Sequence, residues 1–402
     1  LVDVVAPLLR EQPLRPVVTL STERTKAVLL HELVDDTVSV LRDERIVSVF
    51  RELEVEAVDA DDPEAIALLS TVVDALVALG AEPSTLSKAA AALGPRTAEP
   101  PDVPAWPLPG PDGLAVDALR SVLSEHVRHL LLADVGVRRD LPDAVHQMRV
   151  AARRLRSTLA TFAPLMDAET AAPLREELKW IASELGAIRD TEVMIERLGR
   201  HADDLDNPLD AQLARQAVDT SLQLRLHAAR SSALAALRSD RHAQLVADLT
   251  VAAVDPPVTD AAFATCEQAL LPLVARSWRR LARAIADLEL DGPSHEWHEA
   301  RIKAKRARYA ADAAAGIFGR RMQNFARTLA DVTELLGDHQ DAHIAQSILR
   351  ELAAQADTDG STGMALGVLH EYEADEEIID RYRFDELWPH ARSRAVKAGV
   401  AR

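Results

Sequence analysis

The chain has 402 residues, enough for two or three domains with substantial cores. Aromatics make up only 3%, while Ala, Leu and Arg are abundant, which favours helices packed through aliphatic side chains. The net charge of −18 argues against general nucleic-acid binding, but a local basic pocket survives it, because screening makes short-range potential follow local charge. Cys266 is the single cysteine, so an intrachain disulfide is excluded and a reducing compartment is expected. No run of about 18 apolar residues is available to span a membrane. The start, Leu1-Val2-Asp3-Val4-Val5, lacks the basic-then-apolar pattern of a signal peptide and has no initiator Met, as expected of a fragment or a processed chain.

Residues 1–57 read as strands. Val17 to Thr22 is β-branched and continues into Arg24-Thr25-Lys26-Ala27. Thr37 to Leu41 and Ile46 to Phe50 flank a charged turn at 42–45, a hairpin signal. In the following Arg51-Glu52-Leu53-Glu54-Val55-Glu56, the three glutamates share one face of a strand. That row is either a solvated edge or a set of carboxylates for a hard divalent cation. A helix is expected at 63–79, capped by Asp61 or Asp62 with Pro63 at its start, and a shorter one opens at Ser87-Lys88. Residues 95–113 hold seven prolines and two glycines and read as an extended, semi-rigid linker.

Everything after residue 113 reads as helical, with helices expected at 114–133, 143–163, 169–199, 209–250, 260–289, 294–318, 320–356 and 363–399. Four precede the break at Pro256-Pro257 and four follow it. Two patterns recur across that break. His146-x-x-Arg149-x-x-x-Arg153-Arg154-x-Arg156 returns as His298-x-x-Arg301-x-x-x-Lys305-Arg306-x-Arg308, 152 residues later. Leu185-Gly186-x-x-Arg189-Asp190 returns as Leu336-Gly337-x-x-Gln340-Asp341, 151 residues later. Two independent motifs at nearly one offset point to a duplication, and so to paired four-helix bundles about a pseudo-twofold axis.

At about 100° per residue, His146, Arg149, Arg153 and Arg156 fall within an arc of roughly 80°. Like charges stacked at three- and four-residue spacing repel, so a stripe made twice fits a polyanion ligand. His146 and His298 head the two stripes and share an anion-facing role. Arg279 and Arg283 extend a basic cluster on the helix before the second motif, where the first half offers only Arg120, His126, Arg128 and His129. His339 and His343 have metal-ligand spacing, but their neighbourhood favours surface polar residues. His295-Glu296-Trp297-His298 is one residue short of a zinc-protease motif, and no phosphate-binding loop, dinucleotide fingerprint or nucleophile elbow is present.

The doubled basic motif, each copy followed by L-G-x-x-[RQ]-D, resembles the CHAD domain, the conserved histidine α-helical domain, over roughly residues 112–400. That resemblance implies a helical duplication whose basic surface binds inorganic polyphosphate, with no cofactor. The site it implies comprises His146, Arg149, Arg153, Arg154, Arg156, His298, Arg301, Lys305, Arg306 and Arg308, with Arg279 and Arg283 alongside. Residues 15–94 resemble the C-terminal half of the CYTH, or triphosphate-tunnel, fold. The matching pieces are Thr22-Glu23-Arg24-Thr25, Asp43-Glu44-Arg45-Ile46, Arg51 to Glu56 and Ser87-Lys88. By that resemblance Glu52 and Glu54 would hold Mg²⁺ or Mn²⁺, and Arg24 and Lys88 would hold a triphosphate. The family's opening E-x-E-x-K strand is absent.

The expected architecture is therefore mainly α. Residues 1–94 form a small α+β partial antiparallel barrel, 95–113 a linker and 114–402 duplicated four-helix bundles, with repeats at 114–254 and 258–400. The expected function is cytoplasmic polyphosphate binding in association with polyphosphate granules, without membrane contact. A metal-dependent triphosphatase is the first alternative and a helical scaffold for an acidic protein the second. Nucleic acid is disfavoured by the acidity and by the few aromatics near the basic faces.

Overall fold

The computed structural model describes residues 2–9, 12–28, 31–59, 62–355 and 360–401. They fall into two compact units, one of residues 12–101 and one joining the N-terminal segment to residues 102–402. The expectation of strands from the first residues fails at once, because α1 (Val2–Leu9) is a helix.

In the smaller unit β1 (Thr19–Val28), β2 (His31–Arg42) and β3 (Arg45–Ala57) form an antiparallel meander in that order. Asp43 and Glu44 both take positive φ between the paired Arg42 and Arg45, as a two-residue hairpin turn requires. Alternate residues of the central strand, Val34, Asp36, Val38 and Val40, are buried. The register sets Asp36 opposite Arg24 on one side and Glu52 on the other. α2 (Pro63–Ala78) starts on Asp62, whose carboxylate accepts the Glu64 N–H at 2.9 Å. Asp61, the other expected cap, lies outside the described residues. α3 (Lys88–Leu93) is capped by Ser87.

The larger unit is helical throughout. Repeat one comprises α4 (Ala115–Arg138), α5 (Ala144–Thr161), α6 (Ala168–Asp203), α7 (Pro208–Leu237) and α8 (Asp240–Val254). Repeat two comprises α9 (Cys266–Ala286), α10 (Ser294–Phe318), α11 (Arg320–Gln355) and α12 (Ser361–Lys397). The single helix expected over 209–250 is thus two helices, jointed where repeat two has the unbroken α12. The cause lies at Ser239, whose hydroxyl caps α8 by accepting the His242 N–H. Beyond the joint, His242 is buried with Nε2 at 2.6 Å from Asp134, which also takes the Arg138 Nε at 2.6 Å. Arg138 donates as well to the Leu237 carbonyl at the end of α7 and to Asp3 on α1. α1 also packs on α4 and α8, and that tertiary contact overrides the strand propensity of its valines. α4 runs a turn beyond its expected end, and α9 begins at the Thr265 cap rather than at 260.

Among the described residues three large apolar cores result, beside a small cluster of Ile188, Leu226 and Ala233. One is built mainly from α4, α5, the first half of α6 and α8. Its counterpart comes from α9, α10, the first half of α11 and the end of α12. The third joins Met194 and Leu198 of α6, Val218 and Leu222 of α7, Leu349 and Leu352 of α11, and Leu366 and Leu369 of α12, so both repeats share it. The duplication is stitched at its start. The Ala115 N–H donates to the Ala264 carbonyl at 3.0 Å, and the Cys266 N–H to the Gly113 carbonyl at 2.8 Å. A shift of 151 residues exchanges these two bonds, as a local twofold demands.

The proline-rich stretch is only half a linker. Residues from 102 onward belong to the helical unit. Val103 is buried in the first core, the Trp106 carbonyl accepts from Ser121 at 3.0 Å, and Arg120 lies over the Trp106 ring. Leu108 comes so near Gly316 that a Cβ there would stand 2.4 Å from Leu108 Cδ2. Proline composition marks the extended backbone; the interspersed apolar side chains decide that it docks. A truncation beginning at residue 102 should therefore melt several degrees above one beginning at 112, since fully burying one aliphatic side chain contributes about 1.5–3 kcal/mol. Thermal unfolding followed by circular dichroism checks this; equal melting temperatures would mean the docked segment adds nothing.

Candidate anion site

α5 and α10 carry the two basic motifs and pack against each other near the local twofold. Behind the stripes the two helices enter different cores: Ala151 and Ala152 of α5 are buried in the first, and Ala300, Ala304 and Ala307 of α10 in the second. The long basic side chains share the space between the two helices. One cleft is lined by His146, Arg149 and Arg153 from α5 with Arg301 and Lys305 from α10. Arg189, Asp190 and Asp341 stand at its walls. A longer groove of about 640 Å³ continues past Arg149, Arg153 and Arg156, with Lys305, Arg306 and Tyr309 opposite. All four side chains of the first stripe line this space, and Arg301 and Lys305 of the second; His298 and Arg308 line neither the cleft nor the groove.

The second motif, L-G-x-x-[RQ]-D, is the socket for the first. On α6 Gly186 leaves the surface bare where Arg149 crosses it, with the guanidinium 3.8 Å from the site of the absent Cβ. Four residues on, Asp190 takes Arg149 at 2.8 Å. Gly337 and Asp341 do the same for Arg301, more loosely, at 3.9 and 4.0 Å. The position before each Asp meets the His: Gln340 lies 2.5 Å from His298 Nδ1, whereas Arg189 lines the cleft beside His146. Burial first, and then Arg189, Arg153 and Arg149 against the opposing pull of Asp143, holds His146 below the usual imidazole range.

The stripes are short of counter-charge. The Nε atoms of Arg153, Arg301 and Arg308 are buried without a hydrogen-bond partner. Arg153 instead lies 5.4 Å from the centre of the Tyr309 ring. Burial, followed by neighbouring guanidiniums, weakens the hold of Arg153 on its proton, although Tyr309 partly offsets this. Lys305 responds most: burial first, then Arg301, Arg153 and Arg149, pushes its ammonium down to about 7. Arg308 is better provided for, donating to Thr333 at 2.8 Å with Asp312 at 3.6 Å.

The remaining expected residues divide. Arg306 joins the groove, and Arg156 lies along it. Arg154 turns to the other side of α5, into a cleft with His126, Tyr309 and Asp312. Arg279 and Arg283 are exposed on α9 and line neither the cleft nor the groove. Four groove or cleft residues escaped the sequence reading: Arg175 and Lys179 on α6, Arg189 beside His146, and Tyr309. Arg189 sits inside the repeated motif and was available as a signal; Arg175 and Lys179 belong to no motif.

His339 is corrected: it is buried, not a surface group. Its ring stacks on Trp297 at 5.2 Å, and its Nε2 accepts from Arg381 Nε at 3.0 Å. Burial holds it down to about 4, so it serves as a neutral acceptor. Arg381 also donates to the carbonyls of Leu290 and Gly292 and to the Ser294 hydroxyl. This clamp fixes the start of α10, and therefore the placement of His298. Among the described residues, the one trio of His and carboxylate groups close enough to share an ion is Glu125, His126 and His129. Burial and then the Arg154 charge hold His126 down to about 4, and that same charge opposes a cation.

In the smaller unit Arg24, Lys88, Glu52 and Glu54 do converge, around a residue the sequence reading passed over. Asp36 is fully buried and takes both guanidinium nitrogens of Arg24, at 2.7 and 2.6 Å. Lys88 Nζ lies 2.9 Å from Asp36, 3.3 Å from Glu52 and 2.5 Å from Glu54. The hydrogen bond from Arg24 first, and that from Lys88, hold the Asp36 carboxyl far below its usual range despite its desolvation. The ammonium stands among the carboxylates where a divalent ion would have to sit, so the set as folded does not fit a metal centre.

The structure is a helical duplication whose two basic motifs share a cleft and a groove, and comparison with known proteins gives its family. Residues 121–350 match the CHAD domain family model. The uncharacterized proteins MT2285 and Rv2226, from two strains of Mycobacterium tuberculosis, are each 32% identical to this chain, over 93% of it and 75% of their own length. The structure of PptA from Streptomyces chartreusis superposes with a TM-score of 0.61 at 27% identity, covering 69% of this chain and 99% of that one. The CHAD domain from the plant Ricinus communis gives 0.55 at 24% identity, covering 74% and 96%, a likeness of fold. The chain belongs to the CHAD family. No helix among the described residues is long and apolar enough to cross a membrane.

Lys305 supplies a stability test. Its folded pKa lies near 7, below the ordinary 10.5, so between those values the unfolded chain keeps a proton that the folded chain has released. Stability from this group therefore rises as pH increases from about 7 to 10.5, and its charge is fully destabilising below 7. Lys305→Met should raise the melting temperature at pH 6 and raise it much less at pH 10. An equal gain at both would show that the ammonium is not the source of the strain.

Proposed function

We propose that the groove between α5 and α10 binds inorganic polyphosphate, with Arg149, Arg153, Arg301 and Lys305 as its central contacts. His146, Arg156, His298 and Arg306 flank them, and Arg308 reinforces the second stripe. The observation that carries the reading is the apposition of two cationic helix faces whose buried Arg153 and Arg301 Nε atoms have no hydrogen-bond partner among the described residues. A buried donor left unmade costs about 1–3 kcal/mol, and phosphate oxygens would satisfy it with charge-assisted bonds. Membership of the CHAD family, for which the doubled motif implies polyphosphate, supports the same ligand. A linear polyanion also suits a groove better than a compact one, since cations strung along one path add through effective concentration.

For the smaller unit we propose no catalysis. In-line phosphoryl displacement in a metal-dependent site needs the metal clamped with the phosphate, and Lys88 and Arg24 are already committed to Asp36, Glu52 and Glu54. With Mg²⁺ or Mn²⁺ the chain should release no phosphate from triphosphate above background; turnover abolished by Glu54→Ala would reverse this.

The binding itself is tested by paired substitutions. Arg149→Ala with Arg153→Ala, and Arg301→Ala with Lys305→Ala, should each weaken polyphosphate binding by well over the ~1 kcal/mol of an exposed ion pair. The four together should nearly abolish it, and each pair should flatten the slope of log affinity against log salt by about 0.7–0.9 per lost contact. Calorimetric titration at several salt concentrations measures both quantities. A quadruple variant that binds like the parent would place the site elsewhere.

A further inference from the structure

We infer that Arg175 and Lys179 form an outer subsite, present on repeat one alone, that makes the groove discriminate long phosphate chains from short ones. The inference rests on the polyphosphate reading and extends it to chain length. Arg175, Lys179, Ser183, Gly186 and Asp190 all line the groove from α6. Their spacing of four, four, three and four residues keeps them on one helix face. Fifteen residues at 1.5 Å each put roughly 22 Å between the two ends of that wall. Asp190 and Arg149 mark the inner end, by the twofold; Arg175 and Lys179 mark the outer end, beside Arg156 and Arg306. A tripolyphosphate held at the centre spans less than half of that distance and leaves the outer end untouched.

Three features argue that these are more than solvated surface charges. The Arg175 Nε is buried yet has no hydrogen-bond partner, the same condition as Arg153 at the centre. Arg175 and Lys179 sit four apart on one face, where like charges repel, and among the described residues Lys179 has only Glu176, at 3.7 Å, as an ion-pair partner. The duplication supplies an internal control. The 151-residue shift carries Arg175 to Ala326 and Lys179 to Ala330, and Ala326 is buried in the second core. Packing at this place on the helix therefore works with alanine, and the two cations serve something other than the fold. With this pair of cations on the groove wall of α6 and alanines at the matching places of α11, a long chain leaves the twofold centre across the start of α6.

The experiment measures affinities of the full chain, Arg175→Ala/Lys179→Ala and Glu176→Gln for tripolyphosphate and for a long-chain polyphosphate, at two salt concentrations. The double variant should lose about tenfold in affinity for the long chain, keep tripolyphosphate within about twofold, and show a shallower salt slope for the long chain only. Glu176→Gln, which removes the acid and leaves both cations, should tighten the long chain selectively. Equal losses for both ligands, or an unchanged long-chain affinity in both variants, would overturn the subsite while leaving the central site standing. A parent that binds neither ligand would overturn the polyphosphate reading and the subsite with it.

Discussion

The structure turns on two cationic helix faces held side by side. Arg149, Arg153, Arg301 and Lys305 crowd one cleft, and their mutual repulsion and partial burial are opposed by everything behind them. The packing of α5 against α10 brings them close. The Asp190 and Asp341 carboxylates meet one arginine from each stripe. The Arg381 clamp holds the entry to α10 through the Leu290 and Gly292 carbonyls of the preceding loop and the Ser294 hydroxyl. Remove the crowding and these devices have nothing to oppose.

The rest of the molecule sets the field in which that cleft works. The chain carries 64 acidic residues against 46 lysines and arginines, so the groove concentrates the sign opposite to that of the chain's net charge. Symmetry provides the shared centre, and departures from it provide character. Arg308 has Thr333 and Asp312, while the matching Arg156 faces Ala182 and Ala160; Tyr309 covers Arg153, while the matching position holds Ser157.

Much of this was readable because the chemistry was local. A stripe on one helix is a spacing in sequence, and a spacing that occurs twice identifies itself. The Gly and Asp of the second motif were visible as a repeat, but their service to Arg149 and Arg301 needed the crossing of α6 over α5 and of α11 over α10. Arg175 and Lys179 were hidden because the groove they line is completed by other helices and their repeat-mates are alanines. Asp36 was hidden in a run of ordinary strand residues, and only strand register brings Arg24 and Glu52 to it. The joint at Ser239 had a capping signal, overlooked because helical periodicity continued on both sides. Val2–Leu9 and the stretch from Val103 to Leu108 show the limit of composition: valines read as strand and prolines as linker until a surface was there to receive them.

The third core has a further meaning for how such a chain can be divided. The second halves of α6 and α11 bury their apolar sides only against each other and against α7 and α12, so neither repeat closes a core there by itself. A repeat cut free would expose Met194, Leu198, Val218 and Leu222 to water, and the complementary surface most readily at hand would be another copy of the same half. The Ala115–Ala264 and Cys266–Gly113 hydrogen bonds, which exchange under the twofold, would be replaced in a pair of first repeats by the Ala115 N–H of each chain donating to the Gly113 carbonyl of the other. The present fold is in that sense a dimer written as one polypeptide, and the connection across Pro256-Pro257 is what makes its two halves free to become unequal.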